Sequence, residues 1–369
     1  MPQAISNLTV GALVKDMGTK HFGVPIVWKI ASKSHPGYPI NSVTLISKDV
    51  IRFIAPDGLE VTHPESLIRT RGNGRYFWSN IRIWLNSNAT GWYTAQHAYD
   101  APPNSTNVTY NPYDNIAGFL FDFSSPMQTA LLSTTLTVTR PGIDGGGSET
   151  VTDKIFLLSR TEVGLGAQNG VNEGSLLALF NTADSSRQCK PTAQAVAYSE
   201  YSSSGINIST NSAWTLRTPE PTTAGLFQYV KQEGAIQWGI ANSGTLGLRP
   251  ALNIPNTTFV SDAADADGAY TIVWAENVDF QLVPEPTARV AEQAIPYATC
   301  LADPSKVTIK VSNNALDVAP VWETAQQGAL HTFSNKSATG TGAISARVTI
   351  TPSASVPDVF CSGFNIFYF

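Results

Sequence analysis

SVTLISKDVIRFIA, residues 42–55, is dominated by Val, Ile, Thr and Phe. β-Branched and aromatic side chains suit a pleated, half-buried surface, so the stretch predicts strand. Upstream, LTVGALV (8–14) and FGVPIVWKIA (22–31) repeat the pattern between Gly and Pro. The first fifty-odd residues therefore read as consecutive strands and turns.

Helical signals are few and short. From Ser79, Ile81, Trp84 and Leu85 share an i, i+3, i+4 face, which predicts a helix ending near Asn88. Ser125–Pro126 predicts another, with Ser as cap and Pro at the first helical position, and Met127, Ala130 and Leu131 on one face. EGSLLALF (173–180) and PTAQAVAYSEY (from Pro191) predict a third and a fourth. Strand and turn character returns from Trp214 to Pro255. A proline-rich stretch, VPEPTARVAEQAIP, then predicts an extended linker. Beyond it VTIKVSN, HTFSN, ISARVTI and FNIFYF alternate apolar and polar residues as strands do.

Composition narrows the function classes. Charged residues are 14% of 369, against roughly 25% in an average soluble domain, and the net charge is −5. No Lys/Arg run of the kind that neutralises phosphates occurs, so nucleic acid is not an expected partner. No signal peptide and no apolar stretch of about 18 residues is present, so synthesis in the cytoplasm without membrane insertion is expected. Three cysteines, Cys189, Cys300 and Cys361, cannot all pair internally. They are expected as free thiols, with a Cys300/Cys361 bridge as the alternative.

No motif supplies chemistry. The five histidines are scattered at spacings that match no metal or hydrolase signature. Asp262, Asp265 and Asp267 lack the full calcium-loop pattern and predict a solvated turn. Cys189 lies between Arg187 and Lys190 but has no evident base, and Glu162 with Glu173 has only the residue types of a glycosidase pair. No catalytic residue, cofactor or metal is expected. Among the tryptophans, Trp28, Trp84 and Trp92 predict core, whereas Trp214 and Trp238, in turn-rich sequence, predict partial exposure.

Several strings taken in order carry a resemblance: YPINSVTLISKDVI (38–51), SNIRIWLNS (79–87), WYTAQHA (92–98), TDKIFLLSRTEVGL (152–165), EGSLLALF (173–180), WTLRTP (214–219) and GLRPALNIP (247–255). Over about residues 8–275 the chain resembles a domain family of unknown function found in phages, prophages and Gram-positive bacteria. That family is similar to the formylglycine-generating-enzyme and C-type-lectin type of fold. Two positions depart from the pattern: Ala213 stands where an aromatic usually precedes Trp214, and no cysteine pair lies near GLRPALNIP, so formylglycine-type oxidation is not implied. The string VSNNALDVAPVWETAQQGALHTFSNKSATGTGAISARVTI resembles a small β-module that ends many phage structural proteins.

The resulting expectation is an α+β chain: a C-type-lectin-like domain over 1–283, a linker over 284–303, and an all-β docking or assembly module over 304–369. The resemblance implies a non-enzymatic virion protein on the particle surface, in head decoration, tail or fibre. Its partners would be other virion proteins and further copies of itself, with a host glycan or protein as ligand. A carbohydrate-active or thiol enzyme and a purely structural spacer are the alternatives. In the lectin-like relatives the stretch matching 220–245 is the exposed face, which with the preceding strand makes Trp214, Arg217, Tyr229, Gln237, Trp238 and Asn242 the candidate ligand residues.

Overall fold

The computed structural model describes residues 2–202, 206–274, 278–302, 304–335, 342–351 and 360–369. The chain divides into two compact units, Gln3–Val273 and Trp274–Phe369.

Strands account for 35% and helices for 12%, so the fold is mostly β and the α+β expectation is overturned; the C-type-lectin-like architecture attached to it finds no support. The four α-helices among the described residues, Ser66–Arg71 (α1), Asn80–Leu85 (α2), Ser125–Ala130 (α3) and Ala193–Ala197 (α4), are one to two turns each. Helices this short do not hold without tertiary packing. Ser79 before α2 makes no side-chain cap bond, its hydroxyl donating to Tyr76 O at 2.9 Å, and in α3 the cap is displaced by one residue, where the Ser124 hydroxyl accepts from Met127 N at 3.2 Å. Thr192 caps α4 in the same way at 3.0 Å. EGSLLALF forms no helix. Gly174 sits at φ +131, and the N–H groups of Leu177 and Leu179 donate to Glu162 O and Ala31 O, so its backbone bonds run to distant segments.

An eight-stranded sheet dominates the first unit, in the order Gln3–Ala4, Phe259–Val260, Ala269–Val273, Leu13–His21, Val24–Lys33, Ser42–Ser47, Ala251–Pro255, Ile155–Phe156. Ser42–Ser47 lies between two antiparallel neighbours and is buried along its whole length, hence its near-continuous apolar reading. Its one inward Thr is satisfied, since Thr44 Oγ1 donates to Asn253 Oδ1 at 2.7 Å. A five-stranded sheet follows the order Ile236–Ile240, Leu226–Val230, Trp214–Pro219, Gly247–Leu248, Arg52–Phe53. Trp28, Trp84 and Trp92 are all core, as their patterning implies.

In the second unit, Val278–Gln281, Ala343–Ile350, Val307–Ser312 and Glu323–Ala325 form one sheet, and His331–Thr332, Gln293–Leu301 and Phe360–Tyr368 another. Val311, Phe333, Ile344 and Ala346 supply one cluster of its core, Ile309, Val348 and Ile350 a second. Residues 284–303, expected as a linker, contain two strands: Glu285–Pro286 pairs with Ala343–Ile350, and Gln293–Leu301 with Phe360–Tyr368. Proline punctuation signals where strands end as readily as where a domain ends. Cys300 and Cys361 are register partners but free, and burial together with Cys361 pushes the Cys300 thiol up to about 12.

Candidate functional site

Trp214 and Arg217 stand on the Trp214–Pro219 strand, where every residue is buried. Trp214 Nε1 donates to Arg187 O at 3.0 Å, and the Arg249 guanidinium lies 5.0 Å from the indole centroid. Arg217 donates to both oxygens of Glu162, at 2.6 and 2.7 Å, and to the carbonyls of Leu157 and Glu173, at 2.8 and 2.6 Å. Tyr38 Oη and Ser159 N complete the Glu162 carboxylate, at 2.6 and 2.9 Å. Glu173 accepts from Thr139 N at 2.7 Å and from the Thr218 hydroxyl. Burial lifts Glu173 above the usual carboxylate range against the pull of Arg217. The two glutamates thus form the centre of a closed ionic network and cannot flank a substrate.

The remaining candidates divide between two faces. On the hairpin of Leu226–Val230 and Ile236–Ile240, Tyr229 opposes Gln237 while Gln228 opposes Trp238. Directly opposed residues share a face and neighbours alternate, so Tyr229 and Gln237 point one way and Trp238 the other. Gln237 is exposed, Tyr229 and Trp238 half-buried, and Asn242 buried with its backbone N–H on Arg71 O. They do not form one surface. Cys189 is buried, its thiol donating to Lys48 O and Lys190 O at 3.4 Å each, and burial pushes it up, the opposite of an activated nucleophile. Asp265 and Asp267 are held by Lys15 Nζ at 2.9 and 2.7 Å.

A different group converges without any warning in the spacing. Glu60 and His63 lie in the loop before α1, and His97 lies in the WYTAQHA string. Glu60, almost fully buried, has Oε1 at 3.0 Å from His97 Nε2 and Oε2 at 3.9 Å from His63 Nε2. Asn73 Nδ2 also donates to Oε1, at 3.1 Å. Both imidazoles are oriented from behind: His63 Nδ1 accepts from Glu65 N at 3.0 Å, His97 Nδ1 from Tyr99 N at 3.4 Å. His97 Nε2 is enclosed against Glu60, and at 3.9 Å His63 Nε2 is within ion-pair range of Glu60 but makes no hydrogen bond to it.

Asn80, the first residue of α2, ties the loops together. Its Oδ1 accepts from Gly58 N at 2.9 Å and its Nδ2 donates to Asp100 Oδ1 at 3.0 Å. Buried Asp57 accepts from Asn73 N and Asn80 N at 2.8 and 3.0 Å. Burial first, then Glu60, raises Asp57; burial likewise raises Asp100 against its hydrogen bonds from Gln96 and Asn80. On His97 burial opposes the charge, but the bond to Glu60 and the charges of Glu60, Asp100 and Asp144 outweigh it and raise the imidazole. Aromatic rings wall the patch: Trp78 packs 4.6 Å from His97, and Tyr99, 40% exposed, packs 4.9 Å from His63. A half-buried set of carboxylates and imidazoles beside partly exposed rings can bind a polar ligand through hydrogen bonds and stacking.

A family model described as "Domain of unknown function (DUF6273)" matches residues 41–256, more than half of the chain. The match includes Glu60, His63, His97 and the Arg217 network. No curated protein and no solved structure matches the chain.

Proposed function

We propose that this chain, which belongs to the DUF6273 family, is a non-enzymatic binding protein displayed on the outside of a phage particle and takes a hydroxyl-rich host glycan at the Tyr99–His97–Glu60 patch. One observation carries the reading: Glu60, His63 and His97 converge on one another with no serine, threonine or cysteine hydroxyl or thiol bonded to either imidazole among the described residues, while the aromatic edges of the patch remain partly open. Glycans offer many hydroxyls and apolar ring faces, which such a surface complements. The alternatives are less well supported. A glycosidase needs two carboxylates flanking an open site, and Glu162 and Glu173 are enclosed around Arg217; a thiol enzyme needs an accessible, lowered thiol, and Cys189 has neither property. The virion setting rests on the resemblance of residues 304–350 to phage structural modules and on the low charge.

Biolayer interferometry of the full chain against immobilised bacterial wall polysaccharides tests this. Binding should fall at least about tenfold in Tyr99→Ala with melting unchanged, and likewise in His97→Ala, where melting also falls because buried Glu60 loses its partner. An antibody to the chain should also label intact particles. Release of reducing sugar that disappears in His97→Ala would make the protein an enzyme, and binding indifferent to both substitutions would remove the patch.

A further inference from the structure

The Leu13–His21 and Val24–Lys33 strands are joined by Phe22 and Gly23, at φ +50 and +77. A turn with both central residues left-handed favours Asn-Gly, and a bulky aromatic in the first position is strained. The Phe22 ring lies flat on Tyr198, 4.3 Å between centroids, and 5.2 Å from the Arg52 guanidinium carbon. Trp84 lies 5.8 Å from the same carbon. The faces of this guanidinium are thus covered by rings, but its edge is unused. Its Nε is enclosed without an acceptor, and among the described residues no side-chain hydrogen bond or carboxylate within 4.0 Å serves Arg52.

Beside it, His21 packs on Phe22 at 4.2 Å and Phe119 at 5.5 Å, and its Nε2 is likewise enclosed without a partner. Arg52, His21, Phe22, Trp84 and Phe119 line one cavity of about 210 Å³, with exposed Asp122 at its edge. Burial, and secondarily the charge of Arg52, pushes His21 down to about 3. Burial lowers Arg52 to about 10 against the influence of Tyr113 and Glu200. Arg52 is half-buried with its Nε enclosed, and a partly desolvated cation without a hydrogen-bonding partner is unfavourable, so this arrangement calls for an anion.

We propose that the cavity binds a small carboxylate, its two oxygens on the terminal nitrogens of Arg52 and its apolar body against His21, Trp84 and Phe119. A planar carboxylate matches the two-pronged edge of a guanidinium. A single negative charge balances the single cation, whereas phosphate would bring excess charge towards Asp122. The walls, being rings, favour an aromatic or alicyclic acid over a short one.

Titration calorimetry of the full chain with benzoate, acetate, benzamide and inorganic phosphate reads this directly. Benzoate should bind, acetate at least tenfold more weakly, and benzamide, of the same shape without the charge, at least tenfold more weakly too. Arg52→Gln should lose benzoate binding and Arg52→Lys should retain part of it. If Arg52→Gln fails to fold, histidine NMR on the wild-type chain still decides: benzoate should shift the His21 resonances and raise its titration midpoint. Benzamide binding as tightly as benzoate, phosphate binding more tightly than benzoate, or His21 resonances unmoved by saturating benzoate would each overturn the proposal.

Discussion

Replacing Arg217 with Met removes the cation bonded to the buried Glu162 carboxylate, whose charge also acts on buried Glu173. The guanidinium makes hydrogen bonds of 2.6 and 2.7 Å to Glu162 and of 2.8 and 2.6 Å to the carbonyls of Leu157 and Glu173. Methionine fills much of the volume and replaces none of these bonds. Removing one member of a buried ion pair costs about 3–5 kcal/mol, because the other charge stays behind uncompensated. A domain of this size shifts its melting point by roughly 2–4 °C per kcal/mol, so a fall of about 6–20 °C is expected by calorimetry. The deficit should depend on pH. Glu173 is already raised above its unfolded value, so its contribution is fully present below the unfolded pKa and is lost as pH rises through the folded one. The variant should therefore lose less at about pH 5 than at about pH 8. Adding Glu162→Leu should recover at least about 1 kcal/mol, since both charges then leave together. An Arg217→Met melting point within about 2 °C of wild type would refute the reasoning.

His21 titrates near 6.5 unfolded and about 3 folded, so stability present above the unfolded value is lost as pH falls through that window. The loss amounts to about 5 kcal/mol; His21→Phe should flatten the acid limb of the urea midpoint, and identical limbs would count against it. Gly234→Ala places a Cβ 1.9 Å from Asp184 O at φ +95, and should cost about 2–3 kcal/mol; Gly11→Ala, at φ +91 with open space, should cost about 1 kcal/mol by the same urea assay. A maleimide should leave Cys189 unmodified until the protein unfolds while half-buried Cys361 reacts in the native state; native labelling of Cys189 would show its burial to be wrong. Tyr229→Ala and Trp238→Ala, on opposite faces of one hairpin, should have additive effects on stability, within about 0.5 kcal/mol in a double-mutant cycle.

Local chemistry made a definite part of this protein legible. Val, Ile and Thr in residues 42–55, the Ser–Pro helix start near 125, and the apolar settings of Trp28, Trp84 and Trp92 each act over a few residues, and each lies in the fold close to where its chemistry puts it. The helix balance was not legible to the same degree. EGSLLALF has helical periodicity, but bonds from its N–H groups to Glu162 and Ala31 and a turn at 177–180 replace the helical ones.

The site depended still more on tertiary structure. Trp214, expected to be partly exposed, and Arg217, expected among the ligand residues, stand on a strand buried along its whole length, where the arginine is bonded to Glu162. Glu60, His63 and His97 have no common motif, and folding brings them within 4 Å through loops that Asn80 ties together. Arg52 is one of several arginines in the sequence; folding sets it beside the rings of Phe22 and Trp84 and, among the described residues, away from any acceptor for its Nε. By itself, then, the sequence determined strand and turn punctuation and the burial of Trp28, Trp84 and Trp92, because these depend on neighbours along the chain. Which charges are buried, and against what, was decided by tertiary structure alone, because desolvation and ion pairing depend on neighbours in space.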